Sequence, residues 1–503
     1  MAKIKKQYGL AVGIAMVVGI VIGSGVFLKA GKVLGYTGGK LWVSLLAWLV
    51  GGIIMITSGY CFAVFATKVK RYNGVVDYVE MSAGKRIAYH LSWLMNTLYY
   101  PTVASIVSVF AAAYFLNLCG FKIDGEPIAI IYQLLGMWQT YLIAFGFITI
   151  FAVFNYFSPK IAGKFQVSAT VIKLIPILVI AVVGLFAGLI QGAAGIGNAF
   201  TTAGSEAEGV VMNFGEAVKT TAFAYEGWVC ATIINAELKD SDKNLPKALT
   251  GGTIAIVGFY LIYYIGISAM LGNGGAVEAS ANAPLIIFNK ILGVVGEKLF
   301  CVFIIISCLG TVNGVTMSTS RGLYTISCRG QGPNPEKFAQ VNKDGMSLWS
   351  CLFGYFFTIL LLVIWFLANS GVWGFKYLGN MDAIVCALIY GTFIVMFIHM
   401  MRKFTDLKPF QRYVMPIIAI VGCSFFVLVG TGIFQFFNEL IMAAAQHRAV
   451  VWFDDKNATG ALYSFVEFAV WTILFLMINV PSIFFYNPEA KGDVDKAGFV
   501  EGE

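Results

Sequence analysis

Charge is what this 503-residue chain has least of. Asp, Glu, Lys and Arg together make up 12% of it, against about 25% in an ordinary soluble chain, which excludes a soluble enzyme. The net charge of +8 comes with no basic run beyond Lys3, Lys5 and Lys6, so no nucleic-acid surface is expected. Histidine occurs three times, as His90, His399 and His447, too scattered for a catalytic or metal cluster. The nine cysteines show no metal or disulfide spacing. Cys61, Cys230, Cys301, Cys308, Cys351, Cys386 and Cys423 lie inside apolar runs, where a free thiol behaves as a small hydrophobe. Neither His-Glu-x-x-His nor Gly-x-Ser-x-Gly occurs, so an intramembrane enzyme has no visible catalytic pair. Nothing calls for a metal or a cofactor.

What is abundant is apolar length: 59% of the residues are hydrophobic and the mean hydropathy is +0.80. Apolar runs of spanning length, each needing about 20 residues, fall at 8–34, 41–67, 89–119, 137–157, 162–191 and 209–236, then at 247–272, 295–328, 348–369, 381–402, 411–437 and 462–485. The expected fold class is therefore an all-α membrane protein of 12 transmembrane helices embedded in a lipid bilayer. The first run carries no small-residue cleavage site and reads as a retained span. The termini and the even-to-odd connections hold about 22 basic residues, among them Lys68, Lys70, Arg71, Lys85, Arg86, Arg402, Lys403, Lys408 and Arg412. The alternate connections hold about 9, which by the positive-inside rule places both termini in the cytoplasm.

Two spans are interrupted. Span one carries Gly19, Gly23, Ser24 and Gly25, and span six carries Phe223-Ala224-Tyr225-Glu226-Gly227-Trp228. Glycine costs about 0.5 to 1 kcal/mol in a helix interior, so both runs invite unwinding. Two broken helices five spans apart mark the substrate site of transporters built as inverted repeats. Unwinding presents the amides of Gly23, Ser24 and Gly25 to a carboxylate at a helix start. It also frees carbonyls near Val21, Phe223 and Ala224 for an ammonium. One carboxylate and one ammonium side by side describe an α-amino acid. The plain alternative is a small-residue packing face.

Ionisable groups within spans carry function by default, since a charge at mid-membrane costs at least about 2.5 to 3.5 kcal/mol. Lys173 sits mid-way along span five, one turn before Pro176. Its ammonium can stand where a sodium ion would bridge broken and scaffold helices, touching carbonyls of span one and Ser318 or Thr319 of span eight. The alternative is a lysine that snorkels to an interface. Glu226 can meet a substrate's amino group or accept a proton, or else face a wet vestibule or pair with Lys219. Phe223, at the break, is the stronger gate candidate, and Trp228 the second. Arg321 reads as structural, where span eight runs into a cytoplasmic loop.

On these motifs the chain resembles the amino acid–polyamine–organocation superfamily. They are Gly23-Ser24-Gly25-Val26-Phe27, the span-six run, Asn235-Ala236-Glu237-Leu238-Lys239-Asp240 with Asn244-Leu245-Pro246-Lys247-Ala248 behind it, and Ser320-Arg321 with Arg329-Gly330 and Pro333. Gln166 with Lys173 is most similar to the L-type amino acid transporters and bacterial serine/threonine exchangers. The resemblance implies a leucine-transporter fold of five plus five inverted helices and two more. The transporter core would occupy 1–404, with repeats at about 8–191 and 209–402, spans eleven and twelve in 405–486, and a cytoplasmic tail at 487–503. It implies sodium-independent exchange or proton-coupled uptake of neutral amino acids at the plasma membrane by alternating access. Val21, Gly23, Ser24, Gly25, Phe223, Ala224 and Glu226 would contact substrate, Phe223 would be the gate, and Lys173 would replace sodium. Other readings are a proton-coupled cationic amino acid or polyamine permease and, from another class, a receptor or channel, for which no sensor domain exists. Glu226 stands where eukaryotic members have glycine, and Asp240-Ser241 replaces an Asn-Pro pair. The Cys-x-Pro that links light chains to a glycoprotein is absent after span three, where Cys119 precedes Gly120, so no obligatory glycoprotein subunit is expected.

Overall fold

The computed structural model describes residues 6, 8–23, 25–69, 73–121, 134–190, 212–370, 381–445, 447, 449–452 and 462–490. Among the described residues all regular structure is helical, apart from a bridge pairing Tyr8 with Leu238. Span one is Leu10–Val21 and Gly25–Tyr36, two helices bent by 43° at their junction. Span two is Leu41–Lys68, span three lies in Lys85–Leu118, span four is Trp138–Phe157 and span five Pro159–Ile190. Span six is Phe214–Ala224 followed by a 3₁₀ helix, Trp228–Glu237. Spans nine, ten, eleven and twelve are Leu348–Asn369, Met381–Lys403, Met415–Gly430 and Tyr463–Phe484.

By length and apolarity nine described helical stretches can cross a membrane, ten if the bent pair counts as one. The difference from the twelve expected has two physical sources. Ser241–Ser327 passes as one stretch, yet its backbone leaves the helical region at Gly272 (φ +72°) and Gly293 (φ +62°). Those two glycines separate the apolar runs expected as spans seven and eight. Span six fails the test because its break leaves two short pieces.

Span two illustrates how the bundle is put together. Trp42, Leu46, Leu49 and Ile53 recur at helical spacing and are exposed, the face a membrane helix turns to lipid. On its other side Gly51 and Gly52 let backbones approach: a Cβ on Gly51 would lie 2.2 Å from Thr221 Oγ1, and one on Gly52 2.6 Å from a Val257 methyl. Close approach at small residues is the ordinary way membrane helices associate. Between them Trp48 packs edge-on against Tyr225 and Tyr260, with ring centres 5.7 and 5.5 Å apart.

Ion pairs gather the connections at one end of the bundle. Lys68, after span two, pairs with Asp406, after span ten. Arg329, after span eight, pairs with Asp77, and with Glu80 at 3.4 Å, both between spans two and three. Gln331 Nε2 donates to Asn487 O at 2.5 Å beyond span twelve. Tyr8 pairs through its backbone with Glu237 and Lys239, at 3.0 and 2.8 Å, between spans six and seven. The basic connections thus share one end with both described ends of the chain. Of the C-terminal tail, 491–503 lies outside the described residues.

Candidate functional site: two broken helices and a buried lysine

The site begins at the break in span one. The inner half-helix ends at Val21, and the outer half starts at buried Gly25. Ser24 lies outside the described residues. Gly23 N–H donates to Val21 O at 2.8 Å, so that amide is used within the turn. Gly25 belongs to the first turn of the outer helix, whose N–H groups have no partner within the helix.

The carbonyls released by the break are each met by a side chain from the scaffold. Lys173 Nζ donates to Gly19 O at 2.5 Å and stands 3.4 Å from Thr311 Oγ1. Thr311 Oγ1 lies 3.3 Å from Gly19 O and 3.2 Å from Ile20 O. Tyr260 O–H reaches Val21 O at 3.1 Å. Ser307 O–H reaches Ile22 O at 3.2 Å and Gly23 O at 3.4 Å. Spans five, seven and eight therefore grip five consecutive carbonyls of span one.

Lys173 is fully buried, and the lysine does not snorkel. It has room because residue 310 is glycine, where a Cβ would lie 3.3 Å from Nζ. The hydroxyl that reaches it is Thr311, not Ser318 or Thr319. Those two lie about two turns further along span eight, with Ser318 Oγ on Gly314 O at 3.3 Å and Thr319 Oγ1 on Val315 O at 2.9 Å. Gln166 lies beside the lysine's end of the site, donating to Ala15 O at 3.3 Å and accepting from Asn313 Nδ2 at 2.9 Å.

In span six the first helix ends at Ala224, and the chain turns at Gly227, whose φ of +108° favours glycine. A Cβ there would lie 2.6 Å from Ile20 Cγ2, so the two breaks touch. Tyr260 O–H, already near Val21 O, lies 2.8 Å from Ala224 O. One hydroxyl thereby sits between carbonyls of both broken helices. Phe223 lies in the last helical turn; its side chain is outside the described residues. Trp228 is buried edge-on against Phe62, with ring centres 4.9 Å apart, which is packing within the aromatic core.

Glu226 is half-buried at the break of span six, against spans three and ten. Tyr99 O–H donates to its Oε1, and Tyr390 O–H to its Oε2 at 2.7 Å. Lys219 pairs with Glu216 at 3.3 Å instead. Arg321 is itself buried, paired with Glu237 and 3.5 Å from Tyr8 O–H. Burial, with Glu237 beside it, holds the Tyr8 hydroxyl's pKa well above the ordinary tyrosine value. It stays protonated and donates to Pro159 O at 2.9 Å.

Sequence reasoning missed Thr311, Ser307, Tyr260, Tyr99 and Tyr390. Ser307, Thr311 and Ser318 fall at helical spacing along span eight, a signal that could have found the first two. The tyrosines gave none, being three among 23.

An amino acid permease model matches residues 12–482. The chain belongs to the amino acid permease family. The serine/threonine exchanger SteT of Bacillus subtilis is 29% identical over 439 residues, 85% of this chain and 91% of that protein. The human cystine/glutamate transporter is 26% identical over 348 residues, 68% of this chain and 65% of the relative. The human b(0,+)-type amino acid transporter 1 is 24% identical over 328 residues, 65% and 64% respectively. Among solved structures, MhsT in complex with L-phenylalanine superposes with a TM-score of 0.57 at 13% identity, over 84% of this permease and 99% of that chain. That likeness shows the leucine-transporter fold. The permease is accordingly a multi-pass membrane protein whose relatives are transporters by name.

Proposed function

We propose that this permease carries neutral L-amino acids across the plasma membrane by alternating access, as an exchanger or with protons, and without sodium. The observation that carries the reading is Lys173, whose ammonium joins Gly19 O of the broken first span to Thr311 of span eight. A fixed cation at that junction does what a diffusible one would otherwise do. The substrate carboxylate goes to the amides of Ser24 and Gly25, and the α-ammonium to the carbonyls of Val21 and Ala224, displacing Tyr260. Phe223 closes over it. Repeats at about 8–191 and 209–402 form the core, spans eleven and twelve are appended, and the end of the bundle rich in Lys and Arg faces the cytoplasm with both termini. No glycoprotein subunit is needed.

A proton-coupled cationic amino acid or polyamine permease is the second reading, and the exposed part of Glu226 favours it. The test is counterflow in proteoliposomes preloaded with mixed amino acids. Neutral amino acids should exchange, and Gly25→Val, which puts a branched side chain where the carboxylate approaches, should lose that exchange while the protein still folds. Normal exchange by Gly25→Val would remove the carboxylate from this position.

A further inference from the structure

Three fully buried amides join spans four, eight and five head to tail. Asn155 Nδ2 donates to Asn313 Oδ1 at 3.1 Å, Asn313 Nδ2 to Gln166 Oε1 at 2.9 Å, and Gln166 Nε2 to Ala15 O of span one at 3.3 Å. The order is not reversible. Asn155 Nδ2 also donates to Phe151 O at 2.9 Å and Asn313 Nδ2 to Ala162 O at 3.1 Å, and a backbone carbonyl only accepts. Both nitrogens are thereby fixed by the backbone, so Gln166 turns its oxygen to Asn313 and its nitrogen to span one. Space is kept for that nitrogen: a Cβ at Gly19 would lie 2.9 Å from it, and one at Gly314 3.2 Å.

The chain of amides ends on the inner half-helix of span one, Leu10–Val21, one turn before the carbonyl that Lys173 holds. Thr170 Oγ1 lies 3.3 Å from the same Ala15 O. Ala15 stands inside the helix, where its carbonyl has a helical partner, so this grip is not needed to satisfy a carbonyl freed by the break. What it does is place the half-helix. Within the scaffold the amide bonds measure 2.9 and 3.1 Å, whereas both bonds to Ala15 O exceed the ordinary 2.7 to 3.2 Å. The joint with span one is therefore where this assembly parts most easily.

We propose that Asn313 is a positioning residue which, by fixing the Gln166 amide, latches the inner half of span one to spans four, five and eight, and that this latch opens and closes once in each transport cycle. This rests on the alternating-access reading above. Held at Ala15 as well as at Gly19, the half-helix returns to one position. Without the amide, span five holds it chiefly at its broken end, and the return is slow.

The experiment compares the full-length parent with Asn313→Asp, Gln166→Met and the two combined. Asn313→Asp still accepts from Asn155 but no longer donates, so Gln166 turns its nitrogen to residue 313 and its oxygen to Ala15 O. Gln166→Met keeps the length and removes the donor. Counterflow of labelled serine, leucine and phenylalanine in proteoliposomes gives turnover and half-saturation, and thermal stabilisation by the same three in detergent shows that the folded protein binds. Each single variant should lose at least about five-fold in turnover, with half-saturation within about two-fold of the parent. The double variant should be no slower than Gln166→Met alone, because Asn313 acts through Gln166. Should Asn313→Asp not fold, Gln166→Met with Thr170→Val, which leaves Ala15 O no side-chain donor, should be slower still than Gln166→Met. Unchanged turnover in Gln166→Met, losses that multiply in the Asn313→Asp double variant, or binding that falls in step with turnover overturns the latch. A parent that exchanges none of the three amino acids overturns the transport reading beneath it as well.

Discussion

At the scale of single residues, the lysine is decisive because of what surrounds it. An ammonium taken from water into a membrane interior is tolerated only where acceptors converge. Here they are a carbonyl freed by the break and the Thr311 hydroxyl, which also meets the next carbonyl along. Thr311→Val keeps the shape and removes the hydroxyl. A hydrogen bond to a charged group contributes about 1.5 to 3 kcal/mol, so uptake should fall roughly ten- to hundred-fold, with expression retained. Ser318→Ala should stay within about two-fold of the parent, because that hydroxyl lies near Gly314 O and Cys230 O and has no contact with the lysine. Initial uptake rates for the two variants check this. A Thr311→Val protein as active as the parent would take the threonine out of the junction.

At the scale of elements, the two interruptions are coupled. Tyr260 from span seven places one hydroxyl between carbonyls of both broken spans, and Gly227 backs onto Ile20. Tyr260→Phe would remove the one donor shared by the Ala224 and Val21 carbonyls and leave a buried carbonyl without it, a cost of about 1 to 3 kcal/mol. Its thermal unfolding in detergent without substrate should come several degrees lower than the parent's. Unchanged unfolding would mean that the hydroxyl does not bind the halves together. The breaks themselves were legible in the sequence, because Gly23, Gly25 and Gly227 stand where a continuous helix would not place glycine. The lysine was legible because charge is rare in an apolar run. The partners of both were not. Tyr99, Tyr260 and Tyr390 come from spans far away in the chain, and nothing local marks a tyrosine whose role is set by a distant backbone. The helix count falls below the twelve apolar runs for a different reason: Gly272 and Gly293 turn the backbone without ending the helical stretch Ser241–Ser327.

At the scale of the whole molecule, the basic connections, Tyr8 and the last described residues come together at one end. That end is closed by buried contacts: Arg321 with Glu237, Tyr8 against both, and Arg329 with Asp77 and Glu80. Breaking a buried pair by removing one partner costs about 3 to 5 kcal/mol, so these pairs hold the elements at this end together. Arginine 321, expected only to finish a helix, is thus part of a seal between spans one, six and eight. Two of these, spans one and eight, meet again at Lys173 of span five. The central claim is that this protein-borne cation replaces sodium. It is tested most directly by initial amino acid uptake into proteoliposomes holding the parent or Lys173→Ala, each measured in sodium and in choline buffer at one pH. The account predicts equal parent rates in the two buffers and a Lys173→Ala rate at least about ten-fold lower, equivalent to ~1.4 kcal/mol, from protein that still folds. Sodium-stimulated uptake by the parent, or full activity of Lys173→Ala, would contradict it.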